Sequence, residues 1–397
     1  MLDLLPSLRT EEVVLEEASE RLLAEDLVAR DTVPPFDNSA MDGYVVQAVD
    51  IETANEESAV TLTVTGAIAC GDVPSAPLVP GTAQRIMTGA PIPVGGDAVI
   101  PHELTRFTDT EVTFFKPTRV GQNIRRAGGD MVPGDVPLKA GVRLRGPQIA
   151  VVATLGYRTV CVARRPRVAL LSPGKELVEP WDTPGPGQIR NSNAYALATL
   201  VAECGGVPEV RPIVADDPGA IRDAIRSALD DGADALVSTG GVSAGDYDFV
   251  QQVVREDAQP GHVFKTSMRP GKPQVFGLFD GAPLFGLPGN PAAAIVSFTV
   301  FVRPALRKML GEAPWIPESF PVRFAEEFPY KKGRWFMLRA RVEPDFERGD
   351  FRLAAAGEQD SSFLTSLSSA NAIVQLPPDR NVAGRDEVFP AYWIHPK

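Results

Sequence analysis

The stretch from Arg167 to Leu310 constrains this chain most, because short apolar runs alternate there with amphipathic ones and end in glycine- or proline-bearing turns. Arg167 to Leu171 reads as a strand that stops at Pro173-Gly174. A helix then opens near Asn191 to Asn193, carries Leu197, Leu200, Val201 and Cys204, and stops at Gly205-Gly206. Val207 to Val214 is a second strand. Asp217-Pro218 caps the next helix, which sets Ile221, Ile225, Ala228 and Leu229 on one face and ends at Gly232. Ala235 to Ser238 runs into Thr239-Gly240-Gly241, and Leu284 to Leu287 into Pro288-Gly289-Asn290-Pro291, followed by a helix to about Leu310. Strand and helix alternating at this spacing predict a parallel α/β sheet covered by helices. Ligands of such sheets bind at the carboxyl ends of the strands, where three of these turns lie.

The flanks differ. Leu15 to Leu27 has a helical stripe in Val14, Ala18 and Leu22, so a helix is expected there. Val60 to Val64 alternates apolar and polar residues, and from about Val46 to Arg125 short strands and Gly/Pro turns predict a small, mostly β domain. Glu312 to Glu318, with Pro314 and Pro317, reads as a linker. Beyond it, Arg334 to Val342, Ala372 to Leu376 and Val388 to Ile394 predict a second small β domain. A length of 397 residues suits two to four such domains.

Charge narrows the partners. Lys and Arg number 39 against 51 Asp and Glu, a net charge of −12, and a sequence-independent nucleic-acid binder needs the opposite balance. The longest apolar run, Ala292 to Val302, contains Ser297 and Thr299 and stops at Arg303. It falls short of the ~20 residues of a membrane span. Met1 to Glu12 lacks an apolar stretch behind a basic start. Cys70, Cys161 and Cys204 have neither disulfide nor zinc spacing, and His102, His262 and His395 are far apart. A cytoplasmic location, with no nucleic-acid or membrane partner, is the expectation.

Three features carry chemistry. Gly240-Gly241-Val242-Ser243-Ala244-Gly245 can present backbone N–H groups and a hydroxyl to an anion ahead of a helix, although many such turns are purely structural. Lys265, Arg269 and Lys272 surround a rigid Pro270-Gly271 turn in an otherwise acidic chain. That is either a solvated charge run or an oxyanion site. Carboxylates sit in Gly/Ser-rich loops: Asp42, Asp130, Glu176, Asp246 and Asp248. Beside phosphate binders they imply Mg²⁺, while for Asp216, Asp217 and Asp246 helix capping competes. There is no Gly-x-Ser-x-Gly, no Walker motif and no Cys–His pairing, so any chemistry rests on metal-assisted positioning of anions.

Collinear motifs then point to a family. They are Pro34-Pro35-Phe36-Asp37-Asn38-Ser39-Ala40-Met41-Asp42-Gly43-Tyr44, Arg85-Ile86-Met87-Thr88-Gly89-Ala90-Pro91 and Gly121-Gln122-Asn123-Ile124-Arg125. Further along come Ser238-Thr239-Gly240-Gly241-Val242-Ser243, Gly245-Asp246-Tyr247-Asp248, Arg269-Pro270-Gly271-Lys272-Pro273 and Gly286-Leu287-Pro288-Gly289-Asn290-Pro291. Together these resemble the molybdopterin molybdenumtransferase (MoeA) family, related to the E domain of gephyrin, over nearly the whole chain.

The resemblance implies a multidomain α/β plus β fold: a three-layer α/β molybdopterin-binding domain (165–313), an inserted β-rich domain (46–125), a C-terminal β domain (318–397) and an elongated linking domain (1–45 plus 126–164). It implies that molybdate is inserted into adenylylated molybdopterin with release of AMP, aided by Mg²⁺. Catalytic roles carry over to Asp42, Thr88, Asp130, Glu176, Asp216 and Asp248. Substrate contacts carry over to Gly240, Gly241, Ser243, Lys265, Arg269, Lys272, Pro288, Asn290 and Pro291, and Mg²⁺ ligation to Glu176, Asp246 and Asp248. In the C-terminal domain Arg334, Arg339 and Ser361-Ser362 become candidate anion contacts.

The implied partners are a second copy of the chain, the enzyme that adenylylates molybdopterin, and the apo-molybdoenzymes or carriers that receive the cofactor. One departure stands out: the family often has Lys where this chain has Arg269, which keeps charge but not geometry. Rival readings are an adenylyltransferase one step earlier, a scaffold that has kept the fold without the catalysis, and tungstate in place of molybdate.

Overall fold

The computed structural model describes residues 1–242, 248–355 and 357–395. Two compact units emerge, one of Met1–Glu25, Ala140–Arg145 and Thr159–Lys397, the other of Asp26–Lys139 and Gly146–Arg158.

In the first unit the central sheet has six strands, ordered Val207–Val214, Arg167–Pro173, Ala235–Thr239, Ala282–Leu287, Pro273–Phe279 and Gly261–Lys265. The first four run parallel, as the strand–helix alternation predicts. Pro273–Phe279 runs antiparallel to both of its neighbours, Ala282–Leu287 and Gly261–Lys265, which corrects the all-parallel expectation. The cause is the turn Asp280-Gly281, both residues at positive φ (50° and 84°), which reverses the chain between Phe279 and its partner Ala282. An Asp-Gly pair between apolar runs is a hairpin signal of this kind.

Pleating sends successive side chains of Arg167–Pro173 to opposite faces. Val168 and Leu170 join Leu197, Leu200, Val201, Phe285 and Phe298 in one buried cluster. Ala169 and Leu171 join Ile221, Ile225, Leu236, Val250 and Val253 in another. Both faces are therefore covered, giving the three-layer arrangement. The helices start where their caps say: the Asn191 side chain accepts from the Ala194 N–H ahead of Ser192–Glu203, and Asp217 accepts from Ala220 ahead of Pro218–Asp230. The final helical run passes from Pro291–Ser297 through a π-helical turn, Phe298–Val302, into Arg303–Met309.

The C-terminal strands Trp335–Asp345, Asp350–Ala355, Phe320–Arg323, Val388–Trp393 and Ala372–Leu376 pair in that order, and the last returns to the first. The ring is closed into a small barrel around Val322, Phe324, Leu338, Val342, Val374 and Phe389.

One expectation fails outright. Leu15 to Leu27 is not a helix: a single 3₁₀ turn, Leu15–Glu17, is followed by Glu20 at φ 61°, which breaks the helical path. Leu22 and Leu23 are then buried through isolated bridges to Arg143 and Val162, next to the strand Thr10–Val14 that pairs with Thr159–Ala163. Tertiary pairing has overridden a helical stripe.

The second unit contains a six-stranded sheet in the order Ala98–Pro101, Gly43–Val46, Thr82–Ile86, Val60–Ile68, Glu111–Phe114 and Thr105–Phe107. Its core is Tyr44, Val46, Ile51, Leu62, Val112 and Phe114. No helix among the described residues is long and apolar enough to cross a membrane.

Candidate active site

A cleft of about 420 Å³ opens in the first unit at the carboxyl ends of the parallel strands. Its α/β wall consists of Gly240, Gly241, Asp248, Pro288, Gly289 and Asn290, with Arg269, Pro270 and Gly271 alongside. Two strand-end turns are zipped together by the Gly240 N–H donating to the Leu287 carbonyl at 2.9 Å. The Gly241 carbonyl accepts from the Gln251 N–H in the first turn of the helix Phe249–Asp257, whose N-cap is Asp248. Asn193 donates to the Gly289 carbonyl at 2.7 Å.

The Arg269 turn is built with equal care. The Gly271 carbonyl accepts from Thr266 Oγ1 at 2.7 Å and from Gln274 Nε2 at 2.9 Å, and Gln274 also donates to Ser297 Oγ. Gly271 has φ 100°, and a Cβ there would meet the Met268 methyl and lie 2.7 Å from Ser297 Oγ. Only glycine fits this position. Arg269 itself is exposed, in a short strand that pairs it with Phe336 of the barrel.

The barrel supplies the opposite wall: Phe336, Gln359, Asp360 and Ser361. Ser361 accepts from the Asn290 side chain at 2.9 Å through Oγ and from the Ala292 N–H through its carbonyl. The loop hangs on Arg339, which is only 1% exposed. Its guanidinium donates to the carbonyls of Glu358 and Asp360 and to Ser366 Oγ. Arg339 is thus a buried clamp, not the anion contact expected from the sequence. Asp360 Oδ1 accepts from the Ser362 N–H at 2.9 Å and its hydroxyl at 2.6 Å. Those two bonds hold the Asp360 carboxyl below the ordinary aspartate range, and the charges of Arg339 and Arg269 act in the same direction.

Of the residues singled out from sequence, the cleft therefore gathers Gly240, Gly241, Asp248, Arg269, Pro288, Asn290 and Ser361. Glu176, Asp216, Lys265, Lys272 and Pro291 do not line it. Asp216 accepts instead from the Lys175 N–H at 3.0 Å. Ser243 and Asp246 lie outside the described residues. No group of three or more His, Cys, Asp or Glu side chains is drawn together among the described residues. Gln359 and Asp360 were missed, and no local signal marks them.

Asp42, Thr88 and Asp130 belong to the second unit. Asp42 Oδ1 accepts from both the N–H and the hydroxyl of Thr88, each at 2.7 Å. These bonds lower the Asp42 pKa, the backbone one most, with His102 and Arg85 contributing charge. Two segments 46 residues apart are joined by that pair. Asp130 is exposed in a turn whose N–H donates to the Val33 carbonyl.

Fold and cleft together define a multidomain protein in which a three-layer α/β domain and a small β-barrel share a polar ligand cleft at the strand ends. Three family descriptions match in sequence: the MoeA N-terminal region (domains I and II) over residues 1–156, the probable molybdopterin-binding domain over 169–308, and the MoeA C-terminal region (domain IV) over 321–392. A molybdopterin molybdenumtransferase of Nostoc sp. is 39% identical over 372 residues, spanning 93% of this chain and 85% of that one. Its Bacillus subtilis counterpart is 37% identical over 373 residues, 93% and 86% of the two chains. A crystal structure of a molybdopterin biosynthesis moeA protein from Pyrococcus horikoshii superposes with a TM-score of 0.84 at 29% identity, covering 99% of this chain and 97% of that one. The chain belongs to the molybdopterin molybdenumtransferase (MoeA) family.

Proposed function

We propose that this transferase of molybdenum cofactor biosynthesis inserts molybdate into adenylylated molybdopterin, releasing AMP. One observation carries the reading. Amide-bearing turns of the α/β domain, the Arg269 guanidinium and the barrel loop Gln359–Ser361 converge on one cleft. Its size suits a small polar ligand.

In that cleft the Gly241 N–H would hold phosphate, with Gly240, whose own N–H is engaged by the Leu287 carbonyl, fixing the turn at the ligand, and Arg269 would attract the oxyanion. Ser243, Lys265, Lys272 and Pro291 are proposed to extend these contacts. Pro288 and Asn290 would shape the floor beneath the pterin. Hydrolysis of the phosphoanhydride by one water leaves AMP and the pterin's own terminal phosphate, and the two dithiolene thiols bind molybdate as one of its oxygens leaves as water with their protons.

The donor set suits a hard cation arriving with the substrate. Mg²⁺ is commonly bound by one or two carboxylates plus substrate phosphates, which needs no preformed cage. Asp248 would hold it, with Glu176 and Asp246 as further proposed ligands and Asp216 placing water. When bound, Mg²⁺ would offset charge where the anhydride breaks. The protein is further proposed to act as a cytoplasmic homodimer in which the Asp42–Thr88 pair and Asp130 serve the cleft of the second subunit. It would receive substrate from the adenylylating enzyme and pass product to apo-molybdoenzymes or carriers.

The test is AMP release from adenylylated molybdopterin with Mg²⁺, with and without molybdate. Wild type should release AMP in a molybdate-dependent way, and Asp248→Ala and Asp42→Ala should each lose roughly 100-fold or more. Synthesis of the adenylylated pterin from ATP instead would move the activity one step back. Tight pterin binding without turnover would leave a scaffold.

A further inference from the structure

The charged side chains that line the cleft among the described residues are Asp248, Arg269 and Asp360. A pocket read as receiving anions thus shows one cation and two carboxylates. Asp248 has a place in that reading as a cation ligand. Asp360 has none, and it faces the cleft from the opposite wall.

Its geometry separates its charge from its structural work. Oδ1 accepts both hydrogen bonds from Ser362. The backbone on either side is pinned independently, with Arg339 donating to the Glu358 and Asp360 carbonyls and Asn290 donating to Ser361. An amide oxygen can accept the same two bonds, so the loop does not require a negative charge at position 360. What the charge does is set a negative charge in the same cleft as Arg269 and repel an incoming dianion.

We propose that Asp360 is a specificity-determining residue, a built-in counter-charge that engages the field of Arg269 in the empty cleft and limits the affinity for small oxyanions. The inference rests on the reading of the cleft given above. Free molybdate entering the cleft meets the charge of this carboxylate together with that of Arg269. Adenylylated pterin, anchored by many more atoms, is less affected. The cleft therefore resists filling with abundant small oxyanions before the larger substrate arrives.

The test uses the full-length protein and Asp360→Asn, with calorimetric titration of molybdate alone at about 50 mM and about 300 mM NaCl. The variant should bind molybdate about two- to fivefold more tightly at low salt, the factor expected of one exposed charge pair. The gain should shrink at high salt, and in AMP release the change should fall on KM for molybdate rather than on kcat. Asp360→Glu keeps the charge and should leave the affinity near that of wild type. Unchanged or weaker molybdate binding by Asp360→Asn, with the melting temperature preserved, overturns the proposal. Because binding is read without turnover, a wild type that binds molybdate but releases no AMP removes the assigned reaction and leaves this inference to stand on its own numbers. A wild type that neither binds molybdate nor releases AMP overturns both.

Discussion

The α/β wall of the cleft is assembled from turns at the strand ends, held largely by their own backbone and by neighbours such as Thr266 and Gln274 around Gly271. The barrel wall hangs on one buried guanidinium that reaches carbonyls 19 and 21 residues away. Both walls present groups at fixed positions, but the first is rigid by turn chemistry and the second by a single long-range clamp. Damage to the first should therefore be felt as backbone strain, and damage to the second as a loop that comes loose.

Substitutions can break that contrast. Gly271→Ala would force a positive φ on a non-glycine residue and press a methyl group against Met268 and Ser297. A loss of about 2–4 kcal/mol is expected, read as an earlier denaturant midpoint in urea. Arg339→Met should cost less, about 1–3 kcal/mol, because two loop carbonyls lose their donors while the apolar stem still fills the space. Its distinctive effect should be on binding: KM for the adenylylated pterin should rise roughly tenfold as Gln359 to Ser361 lose register. If Gly271→Ala raised KM and left stability intact while Arg339→Met did the reverse, the contrast would be inverted.

The smallest effect sharpens the electrostatic side. Asp42 and Asp360 both have carboxyls lowered below the ordinary value of 3.8, each by hydrogen bonds from a nearby Thr or Ser. A depressed carboxylate contributes its stabilisation above the unfolded pKa and loses it as pH falls through the folded one. Both groups should therefore stay ionised through neutral and mildly acidic pH, so neither sets an activity limb between about pH 5 and 7. Carbon-detected NMR titration should place both midpoints below 3.8, and Ser362→Ala should raise that of Asp360 alone.

The same contrast explains what was legible in the sequence. Strand ends, caps and turns are local, so Asn191, Asp217, Thr239-Gly240-Gly241 and Pro288-Gly289-Asn290 could be placed from their neighbours alone. Asp280-Gly281 was equally local, and its hairpin was overlooked within a βα alternation that fitted the rest. The stripe at Leu15 to Leu27 misled because sheet-like pairing with Thr159–Ala163 and Arg143 decides that segment, and those partners are more than 100 residues away. Asp360 and Gln359 were invisible for a related reason. Nothing within their own loop marks them, since a buried arginine on a barrel strand brings them to the cleft. Arg339 looked like a ligand for anions because a sequence does not reveal which cations are buried.

The central claim is that both walls grip one anionic ligand. Amide hydrogen exchange with and without saturating AMP tests it most directly. The account predicts slowed exchange at 240–242 and 289–290 on the α/β side together with 359–361 on the barrel side. Protection confined to one wall, or appearing only elsewhere in the molecule while AMP is bound, would contradict it.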